Sequence, residues 1–329
     1  MSKSNDVIVL GSAIVDVLGA VTDDFLLAHN IAKGVMTLID EHRAEQLYAA
    51  FSEPREVAGG SAANTAVGLA SLGARAHFMG RVKRDPLGAA FESSLLETGV
   101  AYRTAPAEHG PATARCLIAV TPDGERSMNT YLGAAREFSI ADLSESAVAG
   151  SSVLYVEGYL WDAPSAKQAS LHAIAFAKAN GTKVAFTLSD PFLMGRYRNE
   201  FLELLPELDI LFANEEEAKA LFAVEEFDDV LQALKSSSAI VALTRSEKGC
   251  VIAHGGEVHV VDAAPVKRVI DTTGAGDQFA AGFLYGLTRD FGLAQCGHLG
   301  ALAAAEVISH YGARPEVQLK TLAATKGLL

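Results

Sequence analysis

Asp271-Thr272-Thr273-Gly274-Ala275-Gly276-Asp277 is the stretch of this chain that carries the most information about its fold. It follows an apolar segment, residues 258–264, and precedes a long apolar helical pattern that begins at Gln278. Its two glycines let the backbone approach a ligand closely, because they have no Cβ. The first turn of the following helix offers unpaired N–H groups and the positive end of the helix dipole to an anion. The stretch therefore predicts a phosphate site at a helix N-terminus.

Asp277 lies in that same turn, where a carboxylate would repel a bound phosphate. The placement makes sense if the carboxylate takes a proton from a hydroxyl group that attacks the phosphate. We therefore predict that Asp277 is a catalytic base and that the amides of Gly274, Ala275 and Gly276 form an anion hole. The alternative is an acidic residue that only complements the helix dipole.

Two widespread phosphate-binding motifs are missing. Gly-Lys followed by Ser or Thr does not occur, which excludes a P-loop. The stretch Gly274-Ala275-Gly276 lacks the third glycine of a dinucleotide-binding fingerprint and lies near the end of the chain. A kinase or phosphotransferase built on this site must therefore be of another type.

Continuous apolar runs alternate with helical patterns along the chain. The runs are typical of strands buried on both faces of a parallel sheet, and they cover residues 7–10, 153–156, 184–188, 210–212 and 240–243. The helical patterns cover residues 61–72, 87–97, 166–180, 215–222 and 227–234. This alternation predicts one α/β domain over residues 1–329, with a doubly wound, mostly parallel sheet flanked by helices.

Two excursions, residues 14–38 and 113–131, interrupt the alternation. The second contains Pro122-Asp123-Gly124 between two strand-like runs, which is turn chemistry typical of a β-hairpin. The residues alone support only the hairpin.

Composition and charge limit which partners the protein can bind and in which cellular compartment we expect it. The formal net charge of −13 argues against binding of a nucleic-acid backbone, but it is compatible with a small anionic ligand held by helix N-termini and a metal ion. The three cysteines show no Cys-x-x-Cys spacing, and the sequence shows neither a signal-peptide pattern nor a membrane-spanning one. We expect a cytoplasmic protein that binds no membrane. The sequence does not distinguish a monomer from a dimer.

Three motifs in sequence order resemble the ribokinase-like, or PfkB, family of carbohydrate and nucleoside kinases. Residues 271–277 are similar to its C-terminal signature, and Gly59-Gly60-Ser61-Ala62-Ala63-Asn64 resembles its N-terminal one. Asn214-Glu215-Glu216-Glu217 resembles the Asn-x-x-Glu motif of the family. Within the family, the stretch Gly59-Gly60-Ser61-Ala62-Ala63-Asn64 is closest to that of bacterial adenosine kinases. The same holds for Thr187-Leu188-Ser189-Asp190-Pro191-Phe192.

The resemblance implies a ribokinase-like fold in which the two excursions form a small β-sheet lid over the substrate. It implies transfer of phosphate from ATP, with Mg²⁺, to the 5′-hydroxyl of a nucleoside, adenosine first, as in purine salvage. Dependence on a monovalent cation such as K⁺ stays open. The alternatives are a sugar kinase with a ribose- or fructose-type substrate, a kinase for another nucleoside, and a non-catalytic ligand sensor that kept the fold.

The resemblance also assigns residues. Those implied in substrate binding are Asp16, Gly60, Ser61 and Asn64 for the sugar, and Leu132, Ala134, Tyr159 and Phe192 as walls of an adenine-sized pocket. Those implied on the nucleotide side are Asn214, Glu217, Thr244, Ser246 and Gly249, with Glu217 holding Mg²⁺ through water.

Each assignment has a purely structural alternative. Asp16 could be a turn aspartate, and Asn64 a local cap. Asn214 and Glu217 could be an N-cap and a first helical turn. The loop after residue 243 could simply be solvated, and the apolar residues could belong to the core.

Overall fold

A large sheet lies at the centre of the molecule in the computed structural model, which describes residues 3–235 and 237–329. The strands are β1 (Asn5–Leu10), β2 (Ile14–Ala20), β3 (Met36–Leu38), β4 (Arg55–Gly59), β5 (Ala76–Met79), β6 (Ala101–Tyr102), β7 (Ala114–Val120), β8 (Arg126–Tyr131), β9 (Ser151–Glu157), β10 (Lys183–Thr187), β11 (Ile210–Asn214), β12 (Ile240–Thr244), β13 (Cys250–His254) and β14 (Glu257–Val261). The helices are α1 (Asp23–Ala28), α2 (Glu41–Ala50), α3 (Ser61–Ser71), α4 (Pro86–Glu97), α5 (Glu145–Ala149), α6 (Pro164–Ala179), α7 (Pro191–Leu204), α8 (Glu215–Phe222), α9 (Phe227–Leu234), α10 (Ala275–Leu287), α11 (Leu293–Val307) and α12 (Leu319–Thr325).

The central sheet has the strand order β14-β13-β12-β11-β10-β9-β1-β5-β6. The strands from β12 to β6 run parallel, and β13 and β14 extend the sheet in antiparallel fashion. Helices α3, α10 and α11 pack on one face through side chains such as Leu69 and Phe283, while α6, α7 and α8 cover the other. This arrangement confirms the predicted doubly wound α/β class.

A change of direction in the strand order marks the place where a ligand is expected. From β1 the chain first adds β5 and β6 on one side and then β9 to β12 on the other. Ligands of open α/β sheets bind at such switch points, outside the carboxyl ends of the strands. Here that point lies between β1 and β9.

A second sheet has five strands in the order β3-β8-β7-β2-β4. One of its faces packs against α1 and α2 through Val17, Leu26, Leu47 and Leu117. Four of its strands come from the two excursions, and the turn between β7 and β8 is closed by the Gly124 amide, which donates to the Thr121 carbonyl at 2.8 Å. The fifth strand, β4, was not expected.

The apolar segment before the phosphate motif is only partly a strand. β14 ends at Val261, and residues 262–274 form no helix or strand. Most of β14 is exposed, because it is the edge of the sheet. In the described part of the chain, no helix is both long enough and apolar enough to cross a bilayer.

Candidate active site

The N-terminus of α10 presents free backbone amides. Gly274 caps the helix with φ +79° and ψ 0°, a left-handed conformation, and a Cβ there would lie 2.6 Å from the Ala313 carbonyl oxygen. Glycine is therefore required for both backbone shape and space. The amides of Gly274 and Gly276 make no hydrogen bond to any described residue, whereas the Ala275 amide donates to the Thr272 carbonyl at 3.2 Å. Of the three amides in the predicted anion hole, the structure leaves two unpaired.

The Asp277 carboxylate is held by two donors from the other end of the chain. Ser61 Oγ donates to its Oδ1 at 2.6 Å, and Asn64 Nδ2 donates to its Oδ2 at 3.1 Å. Burial raises the pKa of the Asp277 carboxyl to about 6, and the two hydrogen bonds oppose that rise. The group is thus ionised at neutral pH, yet basic enough to accept a proton.

Ser61 and Asn64 reach Asp277 because they are three residues apart in α3 and share one face of that helix. Asn64 is the fourth residue of α3, and the helix has no side-chain cap, so the alternative of a capping asparagine is wrong.

Asp16 lies within β2 rather than in a turn, so the turn alternative is wrong as well. It occupies the sheet face opposite to Val17, away from the covering helices, since side chains alternate along a strand. A Cβ at Gly59 would lie 2.3 Å from Asp16 Oδ2, so the glycine leaves room for this carboxyl. Burial raises the pKa of the Asp16 carboxyl to about 7, against the opposing charges of Arg314 and Arg126.

Glu157 is a buried carboxyl of this region that was not predicted from the sequence. It ends β9 at the switch point and accepts hydrogen bonds from the Ser12 amide at 2.7 Å and the Ala62 amide at 2.8 Å. Ser12 and Ala62 flank the two places where the chain crosses between the central sheet and the second sheet. Burial raises the pKa of the Glu157 carboxyl to about 7, although both amides lower it. An acidic residue at the end of an otherwise apolar strand was the available signal.

The buried carboxyls predict a pH dependence of stability. The pKa values of Asp16, Glu157 and Asp277 are raised above those of the unfolded chain to between about 6 and 7. Between about pH 4.5 and pH 7 the folded protein therefore binds more protons than the unfolded chain, and its free energy of unfolding falls as the pH rises. We expect the ligand-free protein to melt at a lower temperature at pH 7.5 than at pH 5, with a shallower pH slope for Glu157→Gln. Equal slopes in the two proteins would contradict the assignment of Glu157.

One cavity of about 840 Å³ collects most of the predicted nucleotide-side residues. The predicted residues that line it are Ser61, Asn214, Glu217, Thr244, Ser246, Gly249, Ala275, Gly276 and Asp277. Apolar residues also line it, namely Ala263, Ala264, Pro265, Val266, Val269, Ala301, Ala304, Ala305 and Ile308. Those between 263 and 269 were not predicted from the sequence, and together these residues give the cavity an apolar part beside its polar one.

Asn214 and Glu217 form a reciprocal capping box and also line this cavity. The Asn214 side chain accepts from the Glu217 amide at 2.8 Å, and Glu217 Oε2 accepts from the Asn214 amide at 3.0 Å. The structural alternative is therefore correct for the local hydrogen bonds, and it does not exclude a ligand role. Burial raises the pKa of the Glu217 carboxyl to about 7, and the charges of Asp190 and Asp277 add to the rise.

A cation near Glu217 would offset the like charges of Asp190 and Asp277. The described residues include no group of three or more His, Cys, Asp or Glu suited to a metal ion. A single glutamate is enough for Mg²⁺, which keeps several of its waters and is often held through substrate phosphates.

The predicted walls of the nucleoside pocket do not line the cavity. Tyr159 donates its hydroxyl to the Ser189 carbonyl at 3.2 Å, and its ring centroid lies 6.2 Å from that of Phe192. Leu132 is partly buried beside the second sheet. Ala134 is 0% exposed, so its methyl group lies in the interior, and its contact with a ligand stays a prediction.

Two arginines near the site were also missed. Arg126 of β8 donates to Thr273 Oγ1 and pairs with Asp271 Oδ2 at 3.1 Å, which joins the second sheet to the phosphate motif. Arg314, in the loop between α11 and α12, donates to Asn64 Oδ1 at 3.2 Å. Both contacts link residues far apart in sequence, so local pattern gave no indication of them.

Comparison with known proteins agrees with the fold and the motifs. A family model described as pfkB family carbohydrate kinase matches residues 7–319. The crystal structure of adenosine kinase from Sinorhizobium meliloti is similar to this chain at 48% identity and a TM-score of 0.92, covering 98% of this chain and 99% of that one. A probable sugar kinase protein from Rhizobium etli is similar at 46% identity and a TM-score of 0.93, covering 99% and 100%. Adenosine kinase of Saccharomyces cerevisiae is 29% identical over 93% of this chain and 95% of its own length.

Proposed function

The chain belongs to the pfkB family of carbohydrate kinases, and from that premise we propose that it transfers the γ-phosphoryl group of ATP to the 5′-hydroxyl of adenosine. One observation carries the proposal. A partly buried carboxylate, Asp277, is fixed by Ser61 and Asn64 within one helical turn of the unpaired Gly274 and Gly276 amides. A base and an anion hole so close together are what proton removal and phosphoryl transfer require.

Asp277 acts as the base. It accepts the proton of the 5′-hydroxyl as that oxygen attacks the γ-phosphorus, and the amides of Gly274 and Gly276 stabilise the negative charge on the transferred group. A pKa of about 6 suits this task, because the carboxylate is ionised at pH 7 but not so acidic that it cannot hold the proton.

ATP lies in the cavity, with its phosphates at the N-terminus of α10 and its base at the apolar part near Val266, Val269 and Ile308. Thr244, Ser246 and Gly249 meet the nucleotide between its phosphates and its base. The helix N-terminus supplies most of the attraction for the phosphates, so a net charge of −13 is no obstacle. Glu217, with Asn214 beside it, would hold Mg²⁺ through water, and the ion would neutralise phosphate charge.

Asp16 and the backbone around Gly60 hold the ribose across the site from the nucleotide. A buried carboxylate is costly without partners, and a vicinal diol offers it two hydroxyl donors. Adenosine is the proposed acceptor because of the similarity to proteins named adenosine kinase. The Rhizobium etli protein named as a probable sugar kinase keeps a free sugar as the second candidate.

The test is an ADP-release assay with ATP and Mg²⁺ and each of adenosine, inosine, ribose and fructose. We expect kcat/KM to be highest for adenosine. A higher value for ribose or fructose would make the protein a sugar kinase. No ADP release with any of the four would favour a non-catalytic sensor.

The second sheet is proposed to act as a lid, with residues 14–38 and 113–131 as predicted and β4 in addition. Its turn at Pro122-Asp123-Gly124 is tied to α1 through Lys33, which pairs with both Asp23 and Asp123. A closed lid would exclude water, which otherwise competes for the phosphoryl group.

We expect adenosine to slow amide hydrogen exchange in β7, β8 and their connecting turn, and ATP alone to add little protection there, since ATP binds on the central sheet. ATP alone should also be hydrolysed slowly. The exchange of α5, which lies at the amino end of β9 and away from both proposed substrates, serves as the internal reference. Unchanged exchange in the β7–β8 hairpin at saturating adenosine would show that the second sheet is a static part of the fold.

A further inference from the structure

Arg314 is the feature of the site that the proposed mechanism leaves without a role. Its Nε donates to Asn64 Oδ1 at 3.2 Å, and its Nη1 donates to Ser94 Oγ on α4 at 2.7 Å. Its Nη2 is buried without a hydrogen-bond partner. A charged side chain held this way is costly unless it serves the groups around it.

The loop that carries Arg314 is built onto the two catalytic helices. Gln278 Nε2 donates to the Ala313 carbonyl and to the Asn64 carbonyl, both at 3.0 Å, and thereby ties the loop to α10 and α3. The close packing of Ala313 on Gly274 fixes the loop a second time. The guanidinium therefore has a defined position relative to Asn64.

The contact decides which way the Asn64 amide points. An asparagine side chain offers an oxygen that only accepts and a nitrogen that only donates. A guanidinium can only donate, and an ionised carboxylate can only accept. Asn64 lies between the two, with Oδ1 toward Arg314 and Nδ2 toward Asp277. A rotated amide would set two donors against each other on one side and two acceptors on the other.

We propose that Arg314 is a positioning residue for catalysis: its Nε–H fixes the orientation of the Asn64 amide, so that the amide donates to Asp277 and aligns the base. Arg314 itself touches neither the transferred group nor the nucleotide. The inference rests on the proposed role of Asp277 as the base.

Charged and titratable groups surround both Arg314 and Asp277. The positive charge of Arg314 opposes the rise in the pKa of the Asp16 carboxyl, and burial lowers the pKa of Arg314 itself to about 10. The charge of Asp277 raises the pKa of the titratable groups that face it, which are Asp16 of the second sheet, Tyr155 and Glu157 of β9, Tyr159 after β9, and Glu217 of α8; Arg126 of the second sheet faces Asp16. Burial disfavours ionisation of Asp277, so the hydrogen bonds from Ser61 and Asn64 matter for keeping it a carboxylate.

A double-mutant cycle tests the proposal, with Asn64→Ala, Arg314→Met and the two combined, measured at saturating ATP and adenosine. We expect Arg314→Met to lower kcat roughly 10-fold, with little change in KM for ATP, and to move the acidic limb of the kcat profile to higher pH. The combined variant should be no slower than Asn64→Ala within about 2-fold, because Arg314 acts through Asn64.

Arg314→Lys keeps a charged donor and should recover part of the lost rate. Arg103→Met, the same change at an exposed arginine after β6, should behave as wild type. Melting temperatures of all variants separate a loss of fold from a loss of alignment.

Additive losses in the combined variant would overturn the proposal, as would a raised KM for adenosine at unchanged kcat. A normal rate for Asp277→Asn, measured alongside, would instead contradict the proposed role of Asp277 as the base. The two failures are therefore distinguishable.

Discussion

Asp277→Asn is expected to lower kcat by about 10²–10⁴-fold, the usual contribution of a positioned acid–base group, while binding of ATP and adenosine stays largely intact. The amide is nearly the same size as the carboxylate and can still accept from Asn64 Nδ2. The Ser61 hydroxyl, which now donates to the carboxylate, can rotate to accept from an amide nitrogen. What the variant loses is the ability to take a proton.

The fold should survive this change. Burial disfavours the charged form of Asp277, so a neutral amide at that position should leave the melting temperature at pH 7 unchanged or higher. Asp290→Asn is the matched control, because Asp290 is exposed just beyond the other end of α10 and asparagine tolerates its positive φ of 57°. The measurement is single-turnover phosphoryl transfer together with equilibrium binding of both substrates.

The pH profile gives the same prediction a second readout. Protonation of Asp277, with a pKa of about 6, removes the base, so wild-type kcat should fall as the pH drops below about 6. The residual activity of Asp277→Asn should lack that limb. A variant that turns over at a near-wild-type rate would remove Asp277 from the mechanism.

The sequence predicted best where local signals and tertiary structure agree. Helices α8 and α9 begin and end at the predicted residues, since Asn214 and Glu217 cap the first one and a clear apolar period runs through the second. The β4 strand was missed because Arg55 and Glu56 are exposed at the edge of the second sheet, where half-polar residues carry little strand signal.

The site was predictable only where its residues share a motif. Asp277, Ser61 and Asn64 were predicted as site residues because each lies in a short glycine-containing segment, and the structure brings those segments together. That Ser61 and Asn64, predicted to bind the sugar, donate to Asp277 was visible only in the folded chain. Arg314 contacts Asn64 across 250 residues of sequence, and nothing around it is distinctive. Tertiary packing alone creates such contacts.

The apolar surface that Val266, Val269 and Ile308 form in the cavity was not predicted, for a related reason. Val266 and Val269 lie in an irregular segment, while Ile308 follows α11. No periodic pattern connects them, so a surface assembled from two separate segments becomes visible only in the folded chain.

Asp16→Ala is expected to act differently from Asp277→Asn, by raising KM for adenosine about 10²-fold with a smaller fall in kcat. Hydrogen bonds to a charged group contribute about 1.5–3 kcal/mol each, and the diol that Asp16 holds is present in both the ground state and the transition state. Loss of such uniform binding is felt mainly in KM, although a misplaced 5′-oxygen also slows the chemistry. KM for ATP should change little.

Two comparisons decide whether Asp16 reads the diol. Asp24→Ala removes an exposed carboxyl from α1, which packs against the second sheet, and should leave kcat and KM for adenosine near wild type. The 2′-deoxy analogue of adenosine lacks one of the two hydroxyls that Asp16 would bind, so it should be a poor substrate for the wild-type protein. Because the hydroxyl and Asp16 act as one pair, Asp16→Ala should raise KM for the analogue much less than KM for adenosine. If wild-type protein uses adenosine and its 2′-deoxy analogue equally well, Asp16 does not bind the diol, and its charge acts only on Arg126 and Arg314.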